Sequence, residues 1–114
     1  MKTEQPILIT SITAAADLSA SKNLFIGFDG DLCAADAKPL GVLNANTEDT
    51  EEAPIVAAGI ALVYSGAAIS QGDKLKSNAS GKAITWASSG AVAGYALDAA
   101  SGADELIRVL LCGH

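Results

Sequence analysis

The sequence predicts an all-β protein, a small antiparallel β-barrel made of two related ββ units and preceded by an extended N-terminal arm. Three observations carry this prediction. Short apolar runs are separated by Gly, Asp, Asn and Ser at spacings of about 8 to 12 residues, which is typical of strands joined by tight turns. A glycine pattern recurs in the two halves of the chain. The N-terminal residues lack this texture and read as a separate segment.

The arm, residues 1–22, is expected to begin with one strand. Residues 6–12 are rich in β-branched side chains and predict a short strand. Residues 13–22 have small and polar side chains without a sustained period, which suits a loop or a segment lying on another surface. One helical turn over residues 14–18 is the alternative, although so short a helix is marginal alone.

The barrel domain, residues 23–114, contains several short apolar runs that predict strands. These runs are residues 24–28, 31–34, 40–44, 53–63, 74–77, 83–86, 92–97 and 106–112. Glycine reaches positive φ without steric cost, so Gly30 and Gly81 mark chain reversals. Residues 77–82 form the clearest hairpin loop.

The two units follow from aligning the glycines. In the first half, Gly-Asp at 30–31 opens one strand, Gly41 lies in the next, and a third follows an acidic loop. In the second half, Gly-Asp at 72–73 and Gly94 hold the corresponding places. Two such units side by side predict a closed or nearly closed barrel, which removes free strand edges. Chance similarity in a chain rich in Ala and Gly is the alternative.

Composition restricts the partners. Half of the 114 residues are apolar but only 4% are aromatic, so small aliphatic side chains must form the core. Each buries little area, at about 25 cal/mol per Å², and association with other subunits would add the missing burial. A net charge of −6 argues against nucleic acid and against anionic membranes. The sequence predicts a soluble protein made in the cytoplasm, with no membrane partner.

No catalytic, cofactor-binding or metal-binding set emerges, so the chain is predicted not to be an enzyme. The only histidine is the last residue, His114, and no nucleophile elbow or phosphate-binding loop is present. Asp29-Gly30-Asp31 resembles a cation loop, but a tight hairpin with solvated carboxylates is preferred. Cys33 and Cys112 are expected to be buried reduced thiols, with a disulfide as the alternative.

Interface residues are therefore sought instead of catalytic ones. The acidic loop, residues 48–52, is predicted to be exposed and to face basic residues of a neighbour. Tyr64, Trp86 and Tyr95 could anchor an interface or fill the core. The predicted interface set comprises Ile7, Ile9, Ile12 and Leu18 of the arm, Glu48, Asp49, Glu51 and Glu52 of the loop, and Tyr64 and Trp86.

The second half also resembles a known family. Gly-Ala-Ala-Ile at 66–69, Gly-Asp at 72–73, Gly-Lys-Ala at 81–83, Gly-Tyr-Ala-Leu at 94–97 and the apolar strand at 106–111 are similar to the capsid cement or head-decoration proteins of tailed phages. The resemblance implies a β-barrel or β-tulip-like domain on the outside of a phage head. It further implies homotrimers that clamp the major capsid protein, with an N-terminal arm taking part. A ligand- or carbohydrate-binding module of a fibre-like assembly is the alternative, disfavoured by the scarcity of aromatic side chains.

Overall fold

A computed structural model describes residues 3–111, and within them eight antiparallel strands form one sheet. The strands are β1 (Gln5–Thr13), β2 (Phe25–Ile26), β3 (Gly41–Leu43), β4 (Glu52–Tyr64), β5 (Lys74–Ser77), β6 (Ala83–Thr85), β7 (Gly94–Ala96) and β8 (Leu106–Leu111). Seven follow the order β2-β3-β4-β8-β7-β5-β6, and β1 pairs with β4. The Phe25 amide donates to the Gly81 carbonyl at 2.7 Å and brings the two ends together. The protein is thus an all-β, nearly closed barrel with an additional N-terminal strand.

The long strand β4 organises the sheet. Val56 pairs with both Ile9 and Val42, and Ile60 pairs with both Gln5 and Leu110. Since a strand has two edges, β1 must occupy one edge of β4 while β3 and β8 follow each other along the opposite edge. Small and β-branched side chains suit this position, because β4 is packed on both edges and buried on at least one face.

The core consists of two apolar clusters on opposite faces of the β2-β3-β4 region. The larger fills the barrel and takes side chains from nearly every strand; the smaller lies under residues 14–18. Neighbouring residues alternate between them, as Val42 and Leu43 do in β3, because successive side chains in a strand point to opposite faces. This part of the sheet is therefore covered on both sides.

The predicted hairpin at 77–82 is confirmed, and hydrogen bonds within the loop itself hold it. The Asn78 side-chain oxygen accepts hydrogen bonds from the amides of Ser80 and Lys82 at 2.9 and 3.0 Å. Gly81 adopts a φ of 76°, which a side chain would make costly. These interactions fix the reversal that joins β5 to β6.

Most predicted strands form, with small shifts at their ends, but the prediction for residues 31–34 is wrong. There the chain makes only a single bridge, between Ile26 and Leu32. The two hydrogen bonds of this bridge run from the Gly27 amide to the Asp31 carbonyl at 2.9 Å and from the Cys33 amide to the Phe25 carbonyl at 3.0 Å. The pairing ends there because the chain turns at once, with the Ala37 amide donating to the Ala34 carbonyl at 3.2 Å. Cys112, predicted to end the last strand, lies outside the described residues.

Residues 14–18 form an irregular segment and not the alternative helical turn. Ala14 and Leu18 are buried there and close the smaller cluster. Between residues 3 and 111, the fold has no helix that is long and apolar enough to cross a membrane.

Candidate interaction surfaces

Strand β1 displays three of the six large apolar side chains that are exposed in the described chain, including the most exposed one. Ile7, Leu8 and Ile9 are 84%, 53% and 47% exposed. They lie opposite a stretch of β4 with little side-chain bulk, from Val56 through Ala58, and the pairing slips on either side of Leu8. Next to the slip, Gly59 has a φ of 97°, and a Cβ on it would lie 2.6 Å from the Ile7 amide nitrogen. The small residues thus let β1 approach closely without covering its side chains.

The outer edge of β1 is also open. Every strand pairing of β1 within residues 3–111 is with β4, which occupies only one of its edges. An unpaired edge presents backbone donors and acceptors that another strand can join. Together with its exposed side chains, this edge makes β1 a surface suited to an extended apolar segment of another protein.

A second surface crosses the outer face of the barrel. Ile60, Leu110, Tyr95 and Lys74 stand directly opposite one another on β4, β8, β7 and β5, and we call them the outer row. Leu110 is 45% and Tyr95 38% exposed. At one end of the row, Lys74 Nζ lies 5.1 Å from the centre of the Trp86 ring, a cation–π contact. The row is apolar in the middle and positive at that end.

The acidic loop 48–52 is exposed over its whole length, as predicted. It is held in shape by the Glu48 amide, which donates to the Glu51 carboxylate at 3.1 Å, and by the Ala14 amide, which donates to the Glu51 carbonyl at 2.8 Å. Nearby, hydrogen bonds from the Ser19 side chain and amide lower the pKa of Asp17. The Asp17 carboxylate therefore remains charged to a lower pH than an ordinary aspartate.

Charge is divided unevenly along the chain. Residues 1–55 contain nine of the 13 acidic and three of the seven basic residues, and thus the entire net charge of −6. Residues 56–114 are neutral overall. The acidic loop and Asp29 lie on the first half, and the outer row lies on the second.

The other predicted interface residues occupy different positions. Leu18 is 1% exposed and belongs to the smaller core cluster, so its burial removes it from any surface contact. Ile12 is half-buried at the border of the same cluster. Tyr64 lines a cleft of about 260 Å³ with Lys22 and Lys82. Trp86 is half-buried, and its indole nitrogen donates to the Gly90 carbonyl at 2.9 Å.

Sequence reasoning missed Leu8, Ile60, Leu110 and Phe28 as surface residues. Phe28 is 58% exposed in the turn after β2. An apolar residue in a strand is normally assigned to the core, so nothing in the local pattern marks these positions. Only the register across four strands reveals that Ile60 and Leu110 form a row with Tyr95.

The other sites considered from the sequence are a metal site, the 29–31 segment and the cysteines. Within the described residues no group of three or more His, Cys, Asp or Glu side chains could hold a metal ion. The 29–31 segment is the tight hairpin that was preferred over a cation loop. Cys33 is a buried free thiol whose pKa is raised mainly by burial.

A nearly closed barrel with an open apolar strand and an exposed apolar row defines a small protein-binding module. The sequence profile of the phage cement protein family matches residues 1–111, and the chain belongs to that family. It is a structural, non-enzymatic virion protein that decorates and stabilises the capsid at its surface. The resemblance inferred from the sequence is confirmed.

One solved structure supports the fold. The N base of head fiber gp8.5 from bacteriophage phi29 is similar with a TM-score of 0.71 at 22% sequence identity, covering 92% of this chain and 95% of that chain. None of the curated proteins matches the chain.

Proposed function

We propose that this cement protein contacts the major capsid protein on the outer surface of the head through β1, and that it does so as a homotrimer. The observation that carries the first part is the combination of an open strand edge with Ile7, Leu8 and Ile9 exposed on it. An isolated monomer leaves these side chains in water, where their burial would contribute about 25 cal/mol per Å². A partner strand that docks there would gain both backbone hydrogen bonds along the open edge and burial of these apolar side chains.

The N-terminal arm, residues 1–22, is divided by this proposal. Residues 5–9 contact the capsid, whereas Ala14 and Leu18 anchor the arm in the core of the barrel. The acidic loop 48–52 serves as a second docking element for basic residues of a neighbouring protein. An anchored arm is ordered before binding, which lowers the entropy lost on association.

The trimer is supported by the small size of these surfaces. Each copy offers one short strand to the lattice, and one such contact gives a modest affinity. Joining three copies makes the later contacts intramolecular, so the assembly holds more firmly than any single contact.

We also propose that the barrel consists of two related units in a β-tulip-like arrangement. Matching hydrogen bonds support this. Leu18 and Thr47 form an isolated bridge in the first half, and Ile69 and Ala100 form one in the second. The Thr50 amide donates to Ala14 at 3.0 Å with a φ of 68°; the Asp104 amide donates to Ser65 at 2.7 Å with a φ of 64°.

The test measures binding of purified protein to capsids that lack it. The wild type is expected to bind saturably and to raise the temperature at which the capsids rupture. Ile7→Glu, which places a charge on the most exposed apolar position of β1, is expected to weaken binding by about 100-fold, since an unpaired carboxylate is costly to bury.

Ser11→Glu is the matched control, because it adds the same charge to an exposed position farther along β1. It should bind as the wild type does. Equal loss for both variants would assign the effect to charge alone, and wild-type binding by Ile7→Glu would exclude β1 as the capsid contact. Failure of the wild type to bind such capsids would refute the capsid contact altogether.

A further inference from the structure

The two units each carry a row of four residues across neighbouring strands. In the first unit the row is Phe25, Val42, Val56 and Ile9. In the second unit it is the outer row, Lys74, Tyr95, Leu110 and Ile60. The correspondence is fixed by backbone pairing: Val42 follows Gly41 and Tyr95 follows Gly94, and each glycine lies against the last strand of its own unit.

The two rows differ in burial. Phe25, Val42 and Val56 are buried, because the barrel interior of the second unit packs against them. In the outer row, Tyr95 and Leu110 are more than one-third exposed. One chain thus contains the same structural row twice. In the first unit three of the four residues are covered and Ile9 stays 47% exposed, whereas in the second unit the middle of the row is uncovered.

The chain also has a surface that could cover the outer row of another copy. Leu75 of the second unit belongs to the same core cluster as the covered residues of the first row. Its counterpart in the first unit is Ile26, because Leu75 pairs with Gly94 and Ile26 pairs with Gly41. Ile26 belongs to the smaller cluster. The border of that cluster holds apolar side chains that are partly or largely exposed: Ile12, Leu32, Leu40 and, in the adjoining turn, Phe28.

Charge favours the same match. The smaller cluster lies in the acidic half of the chain. Two backbone hydrogen bonds hold it close to acidic turns: the Ala15 amide donates to the Gly30 carbonyl, next to Asp29, and the Ala14 amide donates to the Glu51 carbonyl in the acidic loop. The outer row carries Lys74 and lies in the neutral half. Contact between unlike halves avoids apposing two halves that each carry −6.

We infer that the outer row of one copy docks on the smaller-cluster surface around Phe28 of a second copy, in a head-to-tail contact. This inference rests on the proposed self-association and specifies its surfaces. It reproduces between chains the packing that joins the two units within one chain. Head-to-tail contacts form closed rings when the rotation between copies closes, and a trimer is one such ring.

The experiment uses two full-length variants, Leu110→Glu in the outer row and Phe28→Glu on the opposing surface. Each is expected to sediment as a monomer at concentrations where the wild type is oligomeric, with a dissociation constant raised by about 100-fold. Far-ultraviolet circular dichroism and urea unfolding confirm that both fold. If Leu110→Glu does not fold, Tyr95→Glu takes its place in the same row.

Mixing the two variants distinguishes head-to-tail from symmetric contact. The Leu110→Glu chain keeps an intact Phe28 surface and the Phe28→Glu chain keeps an intact outer row. They are therefore expected to form a 1:1 heterodimer that grows no further. A mixture that remains monomeric would overturn the inference, because a symmetric row-on-row contact cannot be rescued in this way.

Controls separate this inference from capsid binding. Ile7→Glu should retain the wild-type oligomeric state while losing capsid affinity. A wild type that is monomeric at all concentrations but binds capsids would overturn the head-to-tail contact and leave the capsid function standing. A 1:1 heterodimer from the two variants, together with a wild type that does not bind capsids, would support the contact and refute the proposed capsid function.

Discussion

Replacing Gly41 by alanine is the sharpest stability test, because the atoms that the added Cβ would collide with are known. A Cβ at this position would lie 2.1 Å from the Val56 carbonyl oxygen and 2.7 Å from Ile55 Cγ2. Reaching the 3.0 Å that Cβ contacts respect requires β3 and β4 to separate by about 0.9 Å. The obstacle is a backbone carbonyl inside a sheet, so a rotamer change cannot relieve it.

Overpacking in cores costs about 1–3 kcal/mol, and a backbone collision that also weakens the Val42–Val56 pairing belongs at the upper end, about 3 kcal/mol. Urea unfolding followed by Trp86 fluorescence and by circular dichroism measures the loss. Gly102→Ala is the control: a Cβ there meets nothing within 4 Å, and its φ lies outside the left-handed region. It should be neutral or stabilising by about 0.4–1 kcal/mol. A Gly41→Ala midpoint equal to that of the wild type would refute the reasoning.

Three further predictions concern packing, pH and a partly buried ion pair. Ile107→Ala, in the barrel interior, should lower the unfolding free energy by about 2–5 kcal/mol, whereas Leu110→Ala should change it by less than about 0.5 kcal/mol in the monomer; urea unfolding checks both. Burial raises the pKa of the Cys33 thiol, so the contribution of the thiol to the free energy of unfolding is fully present below the ordinary pKa of 9.0 and is lost as pH rises above it. Cys33→Val should therefore make the free energy of unfolding fall less steeply between pH 7 and 10, which urea unfolding at several pH values measures. Asp36→Asn removes the partner that holds Lys76 Nζ at 2.8 Å, and because the carboxylate is half exposed it should cost only about 1–2 kcal/mol; a mutant as stable as the wild type would refute that role.

Local patterns predicted the strands because turn chemistry in this chain is explicit. The hairpin at 77–82 could be predicted from its Asn and Gly, and residues 74–77 match β5 at both ends. The failed strand at 31–34 shows the limit of such patterns. Its apolar residues are suited to a strand, but the chain turns again at residues 34–37, so its pairing with β2 ends after a single bridge.

The candidate surfaces were predictable only in part. Ile7 and Ile9 were chosen because they lie in the N-terminal arm, which the family resemblance implies takes part in capsid contacts, and both are exposed. Leu18 was chosen on the same grounds, yet its amide and carbonyl bond to Thr47 and its side chain enters the core. Burial of an isolated apolar residue in a loop depends on long-range contacts that single-sequence patterns do not contain.

Salt dependence gives a final test of how copies associate. The proposed two-unit chain covers one row with its own second unit and leaves one row and one complementary surface free. Because these are different surfaces, the proposed contact between copies is head-to-tail. That contact places Lys74 of the neutral half near the acidic half of the next copy. The Debye length falls to about 3 Å at 1 M salt. Raising the salt concentration should therefore screen this attraction and weaken the oligomer. A symmetric contact between acidic halves would respond in the opposite direction, because screening would relieve repulsion between two halves that each carry −6. Sedimentation at 0.05 M and 1 M salt therefore decides the matter, and tighter association at high salt would contradict the head-to-tail arrangement.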